Sequence, residues 1–327
     1  MQALPASTAS LLLAFPLWLA LPAAAQPFID ELIPDHGPTA GGVLLTIRGS
    51  SFEPAPATAT VAGRSCPDAA PPTPTEIVCT LPEGSGAGVD VQVTAGGLPS
   101  NTAPFDYDPP SIASLDPTHA PTNGGTLITL VGSNFGPSGA PLSVALGSAG
   151  CPVVSSTPHT SLVCEVPAGQ GASHDVVVTV DGQVSSPPFV FGYDAPVISS
   201  LEPSSGPATG GTTLRVVGQN LGTTLSVLLF DGTTTSVLSQ SHEEIQGITP
   251  AAADGGHDTT LRVVLDAGTP QEQSSNTAIF SYLAAAVPTA GPGALVALVA
   301  GMVISGWLAG RAREASPSRS DDGSPPR

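Results

Sequence analysis

One segment of 14 residues occurs three times in this chain, and that repetition limits the fold more than any other feature. Ile29-Asp-Glu-Leu-Ile-Pro-Asp-His-Gly-Pro-Thr-Ala-Gly-Gly42 returns as Ile112-Ala-Ser-Leu-Asp-Pro-Thr-His-Ala-Pro-Thr-Asn-Gly-Gly125. It returns again as Ile198-Ser-Ser-Leu-Glu-Pro-Ser-Ser-Gly-Pro-Ala-Thr-Gly-Gly211, at spacings of 83 and 86 residues. Each copy leads into an alternating segment and then Gly-Ser-Ser-Phe52, Gly-Ser-Asn-Phe135 or Gly-Gln-Asn-Leu221. Each unit closes on Phe-x-Tyr, at Tyr107, Tyr193 and Tyr282.

Within a unit the hydrophobic period is two, as in Val89-Asp-Val-Gln-Val-Thr94 and Asp175-Val-Val-Val-Thr-Val180, which is the period of strands. Asp181-Gly182 and Gly96-Gly97 follow these runs and predict tight hairpins. Composition agrees: Gly 37 and Pro 36 are abundant and lysine is absent, so long helices are disfavoured, while 41% hydrophobic residues suffice for packed cores. About seven strands in each 84-residue unit describe a small antiparallel sandwich. The expected fold is all-β, three tandem immunoglobulin-like β-sandwiches at 27–108, 109–194 and 195–283.

The opening Ile-x-x-Leu-x-Pro-x-x-Gly-Pro-x-x-Gly-Gly, with the later Cys and Pro, resembles the IPT/TIG family over about residues 27–283. The second copy departs by carrying Ala120 where the others have Gly37 and Gly206, a difference expected to touch one turn. The resemblance implies an immunoglobulin-like fold and a role in binding or spacing, without a shared active site.

The four cysteines fall in two repeats: Cys66 and Cys79, and Cys151 and Cys164, each pair 13 apart. Three pairings are formally open, and repeat equivalence favours bridges within each unit. A zinc site is the rival, but neither pair has C-x-x-C spacing. In the third unit the matching positions are read as Thr234 and Gly247, so that unit lacks its staple and is expected to melt first.

The ends carry their own signals. Leu11 to Leu21 is apolar and Pro22-Ala-Ala-Ala25 offers small residues before Gln26, predicting a cleaved signal peptide over 1–25. A linker at 284–290 leads to a charge-free run over 291–310, long enough at 1.5 Å per residue for a transmembrane helix. Arg311 and Arg313 then place a short disordered tail, 311–327, in the cytoplasm. The localisation expected is the cell membrane, single-pass, with the body extracellular. Small residues at Gly293, Ala297, Gly301 and Ser305, and the pair Gly306 and Gly310, would suit a transmembrane-helix dimer.

Residues 26–290 hold 23 acids and four arginines, a net charge of -19, which excludes nucleic acid as a partner. Neither a nucleophile elbow nor a phosphate loop is present, so no catalytic or cofactor-binding residue is assigned and an enzyme is not expected. His36 and His119 share a repeat position that is Ser205 in the third unit, and read as exposed turn residues. Asp106, Asp108 and Asp116 at the first junction are candidate calcium ligands, weighed against plain solvated charge. The expected function is a membrane-anchored, non-enzymatic interaction protein for adhesion, ligand binding or a stalk, with an extracellular protein or glycan as partner and the lipid bilayer as anchor. One alternative is an exported protein processed at a carboxyl-terminal sorting signal near Val287-Pro288-Thr289. Another is an accessory binding module of a polysaccharide-acting system, for which tryptophan is lacking in the body of the chain.

Overall fold

The computed structural model describes residues 25–284, apart from 54–55, 225 and 253–254. The expected signal peptide but for Ala25, all of the linker but Ala284, the membrane helix and the tail lie outside the described residues. Among the described residues no helix is long and apolar enough to cross a membrane.

Unit 1 contains β1 (Phe28–Ile33), β2 (His36–Gly37), β3 (Leu44–Ser50), β4 (Ala57–Val61), β5 (Arg64–Cys66), β6 (Glu76–Thr80), β7 (Val89–Ala95), β8 (Leu98–Pro99) and β9 (Ala103–Tyr107). One sheet has the order β1-β3-β6; the other runs β2-β9-β7-β4-β5, with β8 paired to β7. All pairings are antiparallel except β2 with β9, through which the chain crosses from the first sheet to the second. Units 2 and 3 repeat this order and add an edge strand, Val153–Thr157 and Val237–Gln240. In unit 1 the corresponding stretch contains Pro71, Pro72 and Pro74, which cannot donate to a ladder, and only an isolated bridge, Asp68 to Cys79, remains. The sequence expectation of seven strands therefore captures the main strands and misses two-residue segments such as β2 and β8.

Alternation places the core. In β7, Val91, Val93 and Ala95 are buried while the residues between them face outward. These meet Leu45, Ile47 and Ile77 of the first sheet, with Phe52, Phe105 and Tyr107 filling the centre. The hairpins form as the sequence predicts: Val180 pairs with Gln183 across Asp181 (φ 49°) and Gly182 (φ 83°), and Gly96 and Gly97 also have positive φ. The first sheet carries the same bulge in all three units, between Ile29 and Glu31, Ile112 and Ser114, and Ile198 and Ser200. Opposite it stand Gly49, Gly132 and Gly218, where a Cβ would lie 2.0 Å from the carbonyl oxygen of Phe28, Ser111 or Val197. Only glycine admits that approach.

Ala120 is not in a turn. It lies in the short parallel strand beside Tyr193 and is 1% exposed, so the extra methyl is taken into the core. His36 and His119 likewise occupy short strands, with their side chains outward.

Each tyrosine hydroxyl donates to a proline carbonyl two residues beyond β6 or its counterpart in the first sheet: Tyr107 to Pro82 at 3.0 Å, Tyr193 to Pro167 at 2.8 Å, Tyr282 to Pro250 at 2.7 Å. Burial pushes the Tyr107 hydroxyl up to about 12. Tyr107→Phe is expected to cost about 1 kcal/mol, because the Pro82 carbonyl loses its donor; equal denaturation midpoints for variant and parent would remove the hydroxyl from any role in stability.

Cys66 is bridged to Cys79 and Cys151 to Cys164, with Cα separations of 5.5 and 5.6 Å. Register corrects the third-unit assignment. Ala59 faces Cys66, Val144 faces Cys151, and Leu228 faces Thr235, so Thr235 rather than Thr234 is the counterpart; Gly247 keeps its place opposite Leu214. A Cβ on Gly247 would sit 2.5 Å from Cδ1 of Leu228, so a larger apolar side chain fills the space that the bridge occupies elsewhere. One extra carbon relative to Val144 is worth about 0.8 kcal/mol, against about 3 kcal/mol for closing a 14-residue loop. In hydrogen exchange of the intact chain, Thr213–Gln219 is therefore expected to be the least protected of the three central strands. Reduction should lower protection of Leu44–Ser50 and Leu127–Ser133 and leave Thr213–Gln219 unchanged; equal loss in all three would contradict the assignment.

Candidate functional site

The chemistry-bearing side chains gather where one unit meets the next. At the end of β9, Asp108 turns back and its Oδ1 lies 2.8 Å from Nδ1 of His36 on β2. His119 and Asp194 repeat the pair at 2.9 Å. The third unit has Ser205 and Leu283 at these places, so the pair occurs only where another unit follows. The Asp108 carboxylate holds His36 above the ordinary histidine value, with smaller help from Asp35 and Asp106.

Asp106 and Asp108 do not share a cation site with Asp116. Asp106 accepts the Gly88 amide at 2.6 Å, Asp108 is engaged with His36, and Asp116 closes the first strand of unit 2, opposite Thr129. Asp106 and Asp108 are held by separate partners, and among the described residues no group of three or more His, Cys, Asp or Glu could hold a metal.

Shallow polar clefts mark both junctions. Between units 2 and 3 a cavity of about 260 Å³ is bordered by Thr122, Asn123, Asp194, Asn220, His242 and Glu243. Between units 1 and 2 a cavity of about 200 Å³ is bordered by Arg64, Gly84, Ser85 and Pro137 to Ala140. Beside the latter, the Thr39 hydroxyl is 2.9 Å from His159 Nδ1, and His159 Nε2 is 3.5 Å from Glu83. That is the order of nucleophile, base and acid. Yet Thr39 is 1% exposed, leaving no space for a substrate at its hydroxyl, and the second junction repeats Thr122 with His242 while carrying Ala168 where Glu83 would stand. The arrangement is a contact between units. Nothing in the sequence signals a role for these histidines, since each lies 120 residues from its threonine.

The outward faces of the first sheets differ. Arg48 lies between Glu31 (3.6 Å) and Glu76 (3.4 Å), and Arg215 lies 2.8 Å from both Glu202 and Glu244. The middle unit presents Leu127, Thr129 and Val131 on the equivalent strand. Phe28, half exposed, is the only aromatic among the large exposed hydrophobic side chains of the described residues.

Comparison with known proteins places these features in context. The family model described as IPT/TIG domain matches residues 27–107, 110–193 and 196–282. Plexin-2 of Caenorhabditis elegans is 32% identical over 216 residues, covering 62% of this chain and 12% of that protein. Plexin-B3 of Mus musculus is 33% identical over 211 residues, covering 60% and 11%, and human Fibrocystin-L is 32% identical over 151 residues, covering 45% and 3%. The chain thus spans about an eighth or less of the length of these relatives. Among solved structures, the full extracellular region of Plexin A4 aligns at 23% identity with a TM-score of 0.28, covering 81% of this chain and 25% of that one.

His36 is expected to titrate above the ordinary histidine value of about 6.5. The stabilisation from its pair with Asp108 is then complete below that value and lost as pH rises through the elevated one. Imidazole titration by NMR should show Asp108→Asn returning His36 towards the ordinary value; an unchanged titration would mean the carboxylate is not the cause.

Proposed function

The chain belongs to the IPT/TIG domain family, and from that premise we propose that it is an exported, non-enzymatic interaction protein whose three sandwiches carry a binding surface out from a membrane. The observation that carries the reading is the repetition of one family module three times over almost all of the described residues. Two intra-unit disulfides support an oxidising compartment. The apolar run at 291–310 followed by Arg311 and Arg313 supports a single-pass anchor with the body outside. A partner on this body has to accept an acidic surface, since three of its four arginines, Arg48, Arg64 and Arg215, are already paired with glutamates.

Intact mass and terminal peptide mapping of the native protein test this directly. The expected result is a mature amino terminus at Gln26, both disulfides oxidised, and peptides recovered through Arg327 from the membrane fraction. A mature end between Val287 and Gly293 would replace the anchor by a processed sorting signal. Peptides retaining Met1 together with reduced cysteines would overturn export altogether.

A further inference from the structure

We infer that the two junctions are one repeated lock, in which an Asn, a His, a Gln and an Asp of each following unit grip a turn and a strand end of the preceding unit and make the three sandwiches a single body. It rests on the reading of the chain as an extended carrier of a binding surface, and gives that carrier its stiffness.

Four contacts recur in register. The amide of Thr39 donates to Oδ1 of Asn134, and that of Thr122 to Oδ1 of Asn220, both at 3.2 Å. The hydroxyls of the same threonines meet Nδ1 of His159 and His242, both at 2.9 Å. The carbonyls of Tyr107 and Tyr193 accept from Nε2 of Gln183 and Gln273 at 2.7 and 2.6 Å. Ser85 donates to Asp181 at 3.2 Å and Gln170 to Asp266 at 2.8 Å. The second junction adds Gln170 Oε1 accepting the Thr223 amide at 3.1 Å, and the Ala172 amide donating to the Gln271 carbonyl at 3.0 Å.

The identities track position in the chain. Where units 2 and 3 have the gripping side chains, unit 1 has Ser51 for the Asn, Pro74 for the His, Leu98 for the Gln and Gly96 for the Asp. Where units 1 and 2 offer a threonine, unit 3 has Ala208. Tyr107, Tyr193 and Tyr282, which tie the two sheets within one sandwich, appear in all three copies. The gripping side chains and the threonines appear only in copies that have a neighbour of this type on the relevant side. Thr39 and Thr122, at 1% and 0% exposure, are among the few buried polar side chains, and they are buried at the contact with the next unit. Asn134 and Asn220 hold φ of 60° and 55°, a backbone that asparagine and glycine adopt readily, so the side chain is delivered without help from the rest of the loop.

The amides of Thr39 and Thr122 report the lock directly, since each donates to a side chain of the other unit. In hydrogen exchange of the full chain, resolved by NMR, both are expected to be protected. Asn134→Gly keeps the left-handed backbone and removes the grip together with the Asn134 Nδ2 bond to the Pro109 carbonyl, so it should speed exchange of Thr39 about tenfold and leave Thr122 unchanged; Asn220→Gly, which likewise loses a bond to the Ala195 carbonyl, should do the reverse. Residual dipolar couplings should show one alignment tensor for the three units of the parent chain, and separate tensors for the units flanking the altered junction. Thr39 and Thr122 exchanging at the rate of open amides in the parent, or both glycine variants leaving exchange and the common tensor unchanged, would overturn the lock. Neither result depends on what the protein binds or on whether its termini are processed, so the lock and the functional reading can fail separately.

Discussion

The bond from each tyrosine hydroxyl to a proline carbonyl ties the two sheets of every sandwich, and most of the remaining structure is arranged around it. The proline leaves the first sheet two residues after a strand of that sheet, and the tyrosine lies at or next to the end of the last strand of the second sheet. A buried hydroxyl with a fixed acceptor admits one relative placement of the two sheets, whereas apolar packing alone tolerates several. The parallel strand at His36–Gly37 lies along the same tyrosine strand. Gln183 then reads the Tyr107 carbonyl from the next unit. One residue position therefore serves the core, the crossover and the joint.

The space beside the second cysteine shows how one fold accepts two chemistries. Units 1 and 2 close it covalently, with Ala59 or Val144 alongside. Unit 3 fills it with Leu228, which leaves Gly247 no room for a side chain. The space stays filled although the bond is absent, as close packing requires. The loop entropy removed by a bridge in the unfolded chain has no counterpart in a larger leucine, so the three units share an architecture and are expected to differ in stability.

Charge follows a similar logic. A body of -19 in which Arg48, Arg64 and Arg215 already face glutamates presents mostly uncompensated acid. Asp106 and Asp108 are engaged by the Gly88 amide and His36. An acidic surface of this kind repels polyanions.

The three units, their strands, the hairpins at Gly96-Gly97 and Asp181-Gly182 and the two cystine pairs were legible in the chain, because alternation, turn glycines and repetition are local properties of sequence. Family membership was legible for the same reason, since its motif lies in consecutive residues. The match of Thr235 to Cys66 was not, because it depends on the register of a short edge strand and a one-residue error in a Thr-Thr-Thr run leaves the pattern unchanged. Nor was the burial of Ala120, which follows from parallel pairing with a strand more than 70 residues away. The junctions were the least legible of all. Their threonines and histidines stand 120 residues apart, and no periodicity within one unit signals a contact with the next. Sequence determined what each sandwich is, since its core repeats within the unit; only tertiary structure decided how the sandwiches meet, since hydrogen bonds between units join residues that have no local relation.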